Sequence, residues 1–348
     1  MMEYWMIKSI RETPKILKDV VKVPIDILED FKRYKRILFI GCGSSYYSSL
    51  AGAYTILRLS SEIKTVAFPA SEFILNYSNL SKDSLVFLSS RSGETKEIIT
   101  AAKIVKQKGG KVIGITCNEN STLTKASDMS YVIHGGEEPN IPATKSFSAI
   151  TLILQKIAIS LLNEIGAIES LEREISKIPK AVKKIIEDEK EFMKISDRIL
   201  TNKSLFVHLG SGATCIVTLE GALKFRETSY IANEVFPMFE FRHGPIALKV
   251  HKDKIATFLV LHKTCKEYEE NIRRFILDIN DLEPIIITNY SELSESSDNT
   301  YLVPWSGSEI LSIIPFVIPY QIMAYYLSIS LGYDPDNPSG LVRYVSNF

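Results

Sequence analysis

The sequence predicts an α/β protein made of two similar three-layer α/β/α domains, each a parallel sheet with helices on both faces. Short continuous apolar runs alternate with segments long enough for helices, and such runs become strands buried on both sides. A strand, a Gly-x-Gly turn and a helix follow one another from residue 36 and again from residue 205, which reads as a tandem duplication. A chain of 348 residues with 45% hydrophobic content also has enough apolar surface for two cores.

Taken in order, residues 1–35 read as an N-terminal helical arm. Ile10, Ile16, Leu17 and Val20, then Ile25, Ile27 and Leu28, predict two short helices broken at Pro14 and Pro24. The first domain is expected over 36–166, with strands at 36–40 (RILFI), 64–68, 84–88, 111–116 and 131–134. Its helices are expected at 46–59, from Lys96, and at 144–162. Residues 167–198 are densely charged and read as exposed amphipathic linker helices. The second domain, 199–332, restarts the pattern with strand 205–209 (LFVHL), the turn Gly210-Ser211-Gly212 and helix 213–227. Strands at 255–261, 284–288 and 301–304 and a closing helix at 308–331 follow, and 333–348 form a C-terminal tail.

Composition narrows the function classes. The formal charge is zero and the basic residues are scattered, so the electrostatic footprint of a nucleic-acid partner is missing. Cys42, Cys117, Cys215 and Cys265 lie far apart without metal-site spacing, and no signal sequence is visible; a reducing cytoplasm without disulfides or a bound metal is expected. The apolar run from Ile310 to Leu331 is interrupted by Pro315, Pro319 and Gln321 and reads as a buried helix, with no membrane partner. Glutamine is confined to positions 107, 155 and 321 while Ile, Lys and Glu abound, a thermophile-like bias.

The first glycine turn is Gly41-Cys42-Gly43-Ser44-Ser45. A dinucleotide fingerprint needs a third glycine where Tyr46 stands, and an acid at the end of the second strand, where Phe68 is followed by Pro69 and Ala70. The turn still aims backbone amides and the Ser44 and Ser45 hydroxyls at a helix N-terminus, where anions are favoured. After the third strand comes Ser89-Ser90-Arg91-Ser92-Gly93-Glu94-Thr95, directly before a helix. A helix cap needs one hydroxyl; this loop has four hydroxyl residues and a cation, an excess that points to phosphate. Thr144 and Lys145 sit at another helix start behind Glu137 and Glu138, and the ordinary reading of Lys145 is a solvent-facing side chain.

From Glu220 to about Ala232 the spacing is helical. Glu220, Lys224 and Glu227 fall at i, i+4 and i+7, so one face presents acid, base, acid. The ordinary outcome is a solvated salt-bridge ladder. The alternative is a carboxylate held beside an ammonium for chemistry, with His243 following downstream.

Several stretches together resemble the sugar isomerase (SIS) family, and more closely the isomerase half of glutamine:fructose-6-phosphate amidotransferase and its deaminase relatives. They are IKSIRETP (7–14), GCGSSYYSSLAGAY (41–54), SRSGET (90–95), TCNENSTLTKASD (116–128), IPATKSF (141–147), LEGALKFRETSYI (219–231), EFRHGP (240–245) and NPSGLVRYV (337–345). The resemblance covers essentially the whole chain in order and implies two flavodoxin-like SIS sandwiches that bind no nucleotide and use no cofactor. It implies phosphate binding by Ser90, Ser92 and Thr95, helped by Ser45, and a sugar lined by Cys42, Gly43, Ser44, Glu138 and Ile141. It further implies Glu227 as the base moving a proton between C1 and C2, Lys224 beside it, and His243 assisting ring opening in the site of a neighbouring subunit, hence a homodimer with shared active sites.

Three departures bear on the activity expected. No glutamine-hydrolysing part precedes Met1, so ammonia drawn from glutamine is not expected. Arg343 stands where the family has a C-terminal lysine, and an arginine stays protonated and forms no Schiff base. Arg91 stands where the synthase has an uncharged amide, adding a charge beside the phosphate. The resulting expectation is a cytoplasmic aldose–ketose isomerase of a phosphorylated hexosamine, foremost a glucosamine-6-phosphate deaminase. A phosphohexose isomerase, an ammonia-dependent synthase, a sugar-amine deglycase and a non-catalytic phosphosugar sensor are the alternatives.

Overall fold

A computed structural model describes residues 3–26, 31–163, 170–294, 297 and 299–347. The chain forms two compact units. One comprises Glu12–Pro179 with Gly340–Phe348, the other Met1–Arg11 with Lys180–Ser339.

The first unit is built on β1 (Arg36–Gly41), β2 (Thr65–Pro69), β3 (Ser84–Ser89), β4 (Lys111–Thr116) and β5 (Met129–Val132), all parallel, in the order β2-β1-β3-β4-β5. Leu38 of β1 pairs with Val66 on one side and Val86 on the other, so the apolar run 37–40 is buried on both faces, as its unbroken hydrophobicity requires. Helix α1 (Trp5–Lys22) precedes the sheet, α2 (Ser44–Leu59) follows β1, and a single turn, α3 (Ala70–Glu72), follows β2. Then come α4 (Lys96–Gln107), α5 (Thr122–Ala126) and α6 (Lys145–Asn163). The small residues Ser48, Ser49, Ala51, Gly52 and Ala53 let α2 lie close against α6.

The expectation of two short helices broken at Pro14 is corrected: α1 runs unbroken with Pro14 inside it. A proline removes one helix hydrogen bond, and the burial of Met6, Ile7, Ile10, Leu17 and Val20 along one face outweighs that loss. Lys156 of α6 donates to the carbonyls of Val20, Val21 and Val23, placing an ammonium at the helix C-terminus where the dipole favours it. Of the second short helix, Ile27 and Leu28 lie outside the described residues. Lys145 is also not solvent-facing. It is 6% exposed and its Nζ lies 2.6 Å from Glu12, a carboxylate that answers the unfavourable charge at a helix start.

The second unit repeats the plan with β6 (Leu205–Gly210), β7 (Ala232–Pro237), β8 (Ile255–Leu261), β9 (Ile285–Thr288) and β10 (Thr300–Leu302) in the order β10-β9-β8-β6-β7, again all parallel. Read from the other edge this is the same order as the first sheet. The charged segment folds as α7 (Ser170–Ile175), which belongs to the first unit, α8 (Ile178–Glu187), which begins there, and α9 (Glu189–Ile195) of the second. Ile178, Val182, Ile185 and Phe192 along α8 and α9 are fully buried, so the charges solvate one face of helices whose other face is core. Helices α10 (Ala213–Ser229), α11 (Glu269–Asp278) and α12 (Ile313–Ser330) complete the unit. Helix α10 ends at Ser229, two residues past the expected end at 227 and short of about Ala232, to which the helical spacing runs, and β7 follows as an edge strand that the sequence reading does not contain.

Among the described residues two helices are long and apolar enough to cross a membrane, over 145–162 and 310–330, and they are 89% and 94% buried within the protein. The second is the run expected to be a buried helix.

Candidate functional site

In the first sheet the chain leaves β1 for β2 on one side and reaches β3 on the other. The carboxyl ends of β1 and β3 therefore flank a topological switch point, where ligands of parallel α/β sheets bind. Both hydroxyl-rich turns sit there. After β1, Gly43 takes φ 52° and ψ −128°, and the Ser45 and Tyr46 amides fold back onto the Cys42 and Gly43 carbonyls at 3.0 and 2.9 Å. Gly43 is exposed and Cys42, Ser44 and Ser45 are half-buried. Burial, with the Glu97 carboxylate adding to it, pushes the Cys42 thiol up to about 12, which disfavours the thiolate.

After β3, Gly93 adopts φ 69°, and a Cβ there would lie 2.3 Å from Ser121 Oγ. Only glycine fits. Ser90 Oγ accepts from the Gly93 amide at 3.1 Å and pairs with Thr95 Oγ1 at 3.0 Å, while Ser92 Oγ accepts from the Glu94 amide at 3.1 Å. The structure thus brings Ser90 and Thr95 into contact, with Ser92 on the same loop. Each hydroxyl can donate once. The Ser90–Thr95 pair uses one of its two protons, so one remains, together with that of Ser92, for an anion at the start of α4.

The 116–128 stretch buttresses this loop. Thr116 Oγ1 donates to the Arg91 carbonyl, Asn118 Nδ2 to the Ser92 carbonyl, and the Thr122 amide and hydroxyl both donate to Glu94 at 2.7 Å. Glu94 is a structural member of the motif to which sequence reasoning assigned no role.

Glu138 and Arg91 have other engagements. Glu138 is fully buried; its carboxylate accepts from the Thr144 amide at 2.9 Å, from the Ser146 amide and from Asn140 Nδ2, and so caps α6. The Arg91 guanidinium donates to the Asn140 and Ile141 carbonyls at 3.2 and 3.0 Å. Ile141 is half-buried. Arg343 lies in the exposed tail of the same unit, where the Val345 carbonyl accepts from the Lys96 amide at the first turn of α4.

In the second unit, Lys224 is fully buried on α10 with its Nζ 2.5 Å from Glu227 Oε2 and 3.2 Å from Glu220 Oε1. The acid-base-acid face is thus no solvated ladder. Burial works against the ammonium, but Glu220 and Glu227 outweigh it and raise the Lys224 pKa, so the lysine stays charged. Of the three side chains Glu227 alone reaches the surface, at 19% exposure against 0% for the others. His243 stands apart, exposed, on the loop between a short helical turn (Met238–Arg242) and Gly244, whose φ is 119°. Sequence reasoning missed His208. It is fully buried among Phe206, Phe225, Phe258 and Tyr320, with Nε2 2.6 Å from Asn233 Oδ1. Among the described residues no group of three or more His, Cys, Asp or Glu could hold a metal ion.

Comparison with known proteins agrees with this architecture. The SIS domain family matches residues 30–160. A glutamine–fructose-6-phosphate aminotransferase (isomerizing) from Thermococcus kodakarensis is 31% identical over 359 residues, covering 99% of this chain and 58% of that protein. The chain therefore spans just over half the length of that relative. The C-terminal domain of glucosamine-fructose-6-phosphate aminotransferase from Francisella tularensis superposes with a TM-score of 0.84 at 25% identity, over 97% of this chain and 99% of that one. A glucosamine-6-phosphate deaminase from Thermotoga maritima is 30% identical, with a TM-score of 0.76, over 98% of this chain and 99% of its own. With that relative matched end to end, a family match over the first sheet and two sheets of the same parallel order, the chain belongs to the SIS (sugar isomerase) domain family.

Proposed function

We propose that the protein is an aldose–ketose isomerase of a phosphorylated amino sugar, converting glucosamine 6-phosphate and water to fructose 6-phosphate and ammonia. The observation that carries this reading is the Glu220–Lys224–Glu227 cluster: a buried ammonium fixes one carboxylate, Glu227, that remains open to a substrate. The hydroxyls of Ser90, Ser92 and Thr95, with Ser45, bind the phosphate. Cys42, Gly43, Ser44 and Ile141 border the sugar. The end-to-end likeness to a deaminase favours the amine substrate.

In this reading His243, exposed on its loop, aids opening of the pyranose, in the site of a neighbouring subunit of a homodimer. Glu227 takes the C2 proton of the open-chain aldehyde, leaving an enolamine, and returns it to C1. The product is a ketimine at C2, which water hydrolyses to the ketone, releasing ammonia. Lys224, 2.5 Å from Glu227 Oε2, holds that carboxylate in place for the proton transfer. Arg343 contributes a fixed charge from the tail and no imine. Glu138 supports the site from behind, through α6.

Purified protein supplied with glucosamine 6-phosphate is expected to release ammonia and fructose 6-phosphate in equal amounts. If neither forms at any temperature up to unfolding, the reading fails. Interconversion of glucose 6-phosphate and fructose 6-phosphate without amine turnover would instead establish a plain phosphohexose isomerase, which needs the same Glu227 and His243.

A further inference from the structure

Arg91 lies in the middle of the phosphate loop, and its charge invites a direct role in holding the phosphate. Its contacts point elsewhere. Nη1 and Nη2 each donate to a backbone carbonyl, of Asn140 and Ile141, and Glu138 Oε2 stands 3.8 Å from Nη1. The side chain is 12% exposed. A guanidinium whose planar fork is matched to two adjacent carbonyls makes a geometric contact that a lysine cannot reproduce.

Both ends of this strut are anchored. The Arg91 carbonyl accepts from the Cys117 amide and the Thr116 hydroxyl, which fixes the loop end to β4. At the other end Asn140 Nδ2 donates to Glu138 and to the Pro142 carbonyl, and Glu138 is locked to the first turn of α6. The guanidinium charge is balanced by the buried Glu138 carboxylate rather than left for a ligand.

We propose that Arg91 is a positioning residue that clamps the 139–143 turn, which carries Ile141, against the phosphate loop. The clamp sets the sugar-side wall of the pocket and leaves the phosphate to hydroxyls and amides. This rests on the phosphosugar reading above, in which Ile141 borders the sugar. Phosphate recognition and sugar recognition are then separable, and Arg91 acts on the second.

The test compares the whole wild-type chain with Arg91→Lys and Arg91→Gln by calorimetric titration of inorganic phosphate and of fructose 6-phosphate. Both variants lose the fork. Each is expected to bind inorganic phosphate within about 2-fold of wild type but fructose 6-phosphate about 10-fold more weakly, the scale of a lost charge-assisted hydrogen bond. Wild-type-like sugar binding by Arg91→Lys, or equal losses for the two probes, overturns the assignment while leaving the phosphosugar reading intact. A wild type that binds neither probe overturns that reading and the clamp with it. Should neither variant fold, a crystal structure of the wild-type chain with inorganic phosphate decides: Arg91 still on the two carbonyls supports the clamp, and a guanidinium nitrogen hydrogen-bonded to phosphate ends it.

Discussion

At the ends of β1 and β6 the chain makes the same turn, with Gly43 at φ 52° and Gly212 at φ 59°, both at ψ −128°. Each turn opens a helix, and each unit later carries a glutamate shortly before its closing helix. In the first unit that glutamate, Glu138, turns to its own helix and caps α6. In the second, Glu309 reaches instead to the glycine turn, where its Oε1 accepts from the Ala213 amide at 2.9 Å. The second turn thus has an internal carboxylate in the place where a helix N-terminus would favour an anion. The loops after the third strands diverge in the same sense: hydroxyls with protons to spare follow β3, whereas His262 follows β8, its ring held between Thr264 and the Gly307 carbonyl. Two sheets of the same order thus carry different turns: hydroxyls crowd the loop after β3 in one, and a carboxylate closes the glycine turn in the other.

The sharpest way to break this division is Glu227→Gln. If Glu227 transfers the proton and takes no part in holding the phosphate, turnover should fall by about 100- to 10,000-fold while fructose 6-phosphate still binds. Loss of binding together with turnover would erase the division. Next is Lys224→Met, which removes the buried ammonium that Glu220 and Glu227 share and should cost about 3–5 kcal/mol in denaturant unfolding. A cost under about 1 kcal/mol would show the cluster to be solvated after all.

His208 sharpens the comparison through pH. Burial, opposed by the Asn233 hydrogen bond, lowers its pKa from 6.5 to about 3. The folded state therefore refuses a proton that the unfolded chain accepts below pH 6.5. Stability from this group is complete above that pH and is lost as pH falls towards 3, by about 2 kcal/mol at pH 5. Thermal unfolding of His208→Gln should show a flatter slope between pH 6.5 and 5; an unchanged slope would place the acid sensitivity elsewhere. The smallest effect is expected from Glu309→Ala, about 1 kcal/mol of stability from the lost partner of the Ala213 amide. Titration of the wild type should find one phosphosugar per chain, and two would mean that the second turn is open.

Most of the strands were legible in sequence, because strands buried on both faces must be continuous apolar runs, as 37–40 and 255–261 are; their order in the sheets was not. Edge strand β7 is different. Its residues, Ala232 to Pro237, are all exposed or half-buried, include Asn and Glu, and begin three residues after a helix, so no apolar run marks them. The hydroxyl-rich loop after β3 stood out because its hydroxyls exceed what a cap uses. The roles of Arg91 and Glu138 were not, since both depend on where a turn some fifty residues along the chain from Arg91 comes to lie. The spacing of Glu220, Lys224 and Glu227 puts them on one face but cannot say whether that face meets water or core.

Tyr230 closes α10 in the left-handed conformation, φ 57°, where glycine is the residue without penalty. The side chain explains why a tyrosine stands there. Its hydroxyl accepts from the Ser339 amide at 2.6 Å and its ring meets Tyr333 edge-on at 4.9 Å. A stabilisation campaign guided by backbone preference alone would choose glycine at this position and would gain a relaxed helix end. It would also cut the strand of chain leading to Arg343 loose from its mooring, trading a more stable fold for a less well-held tail.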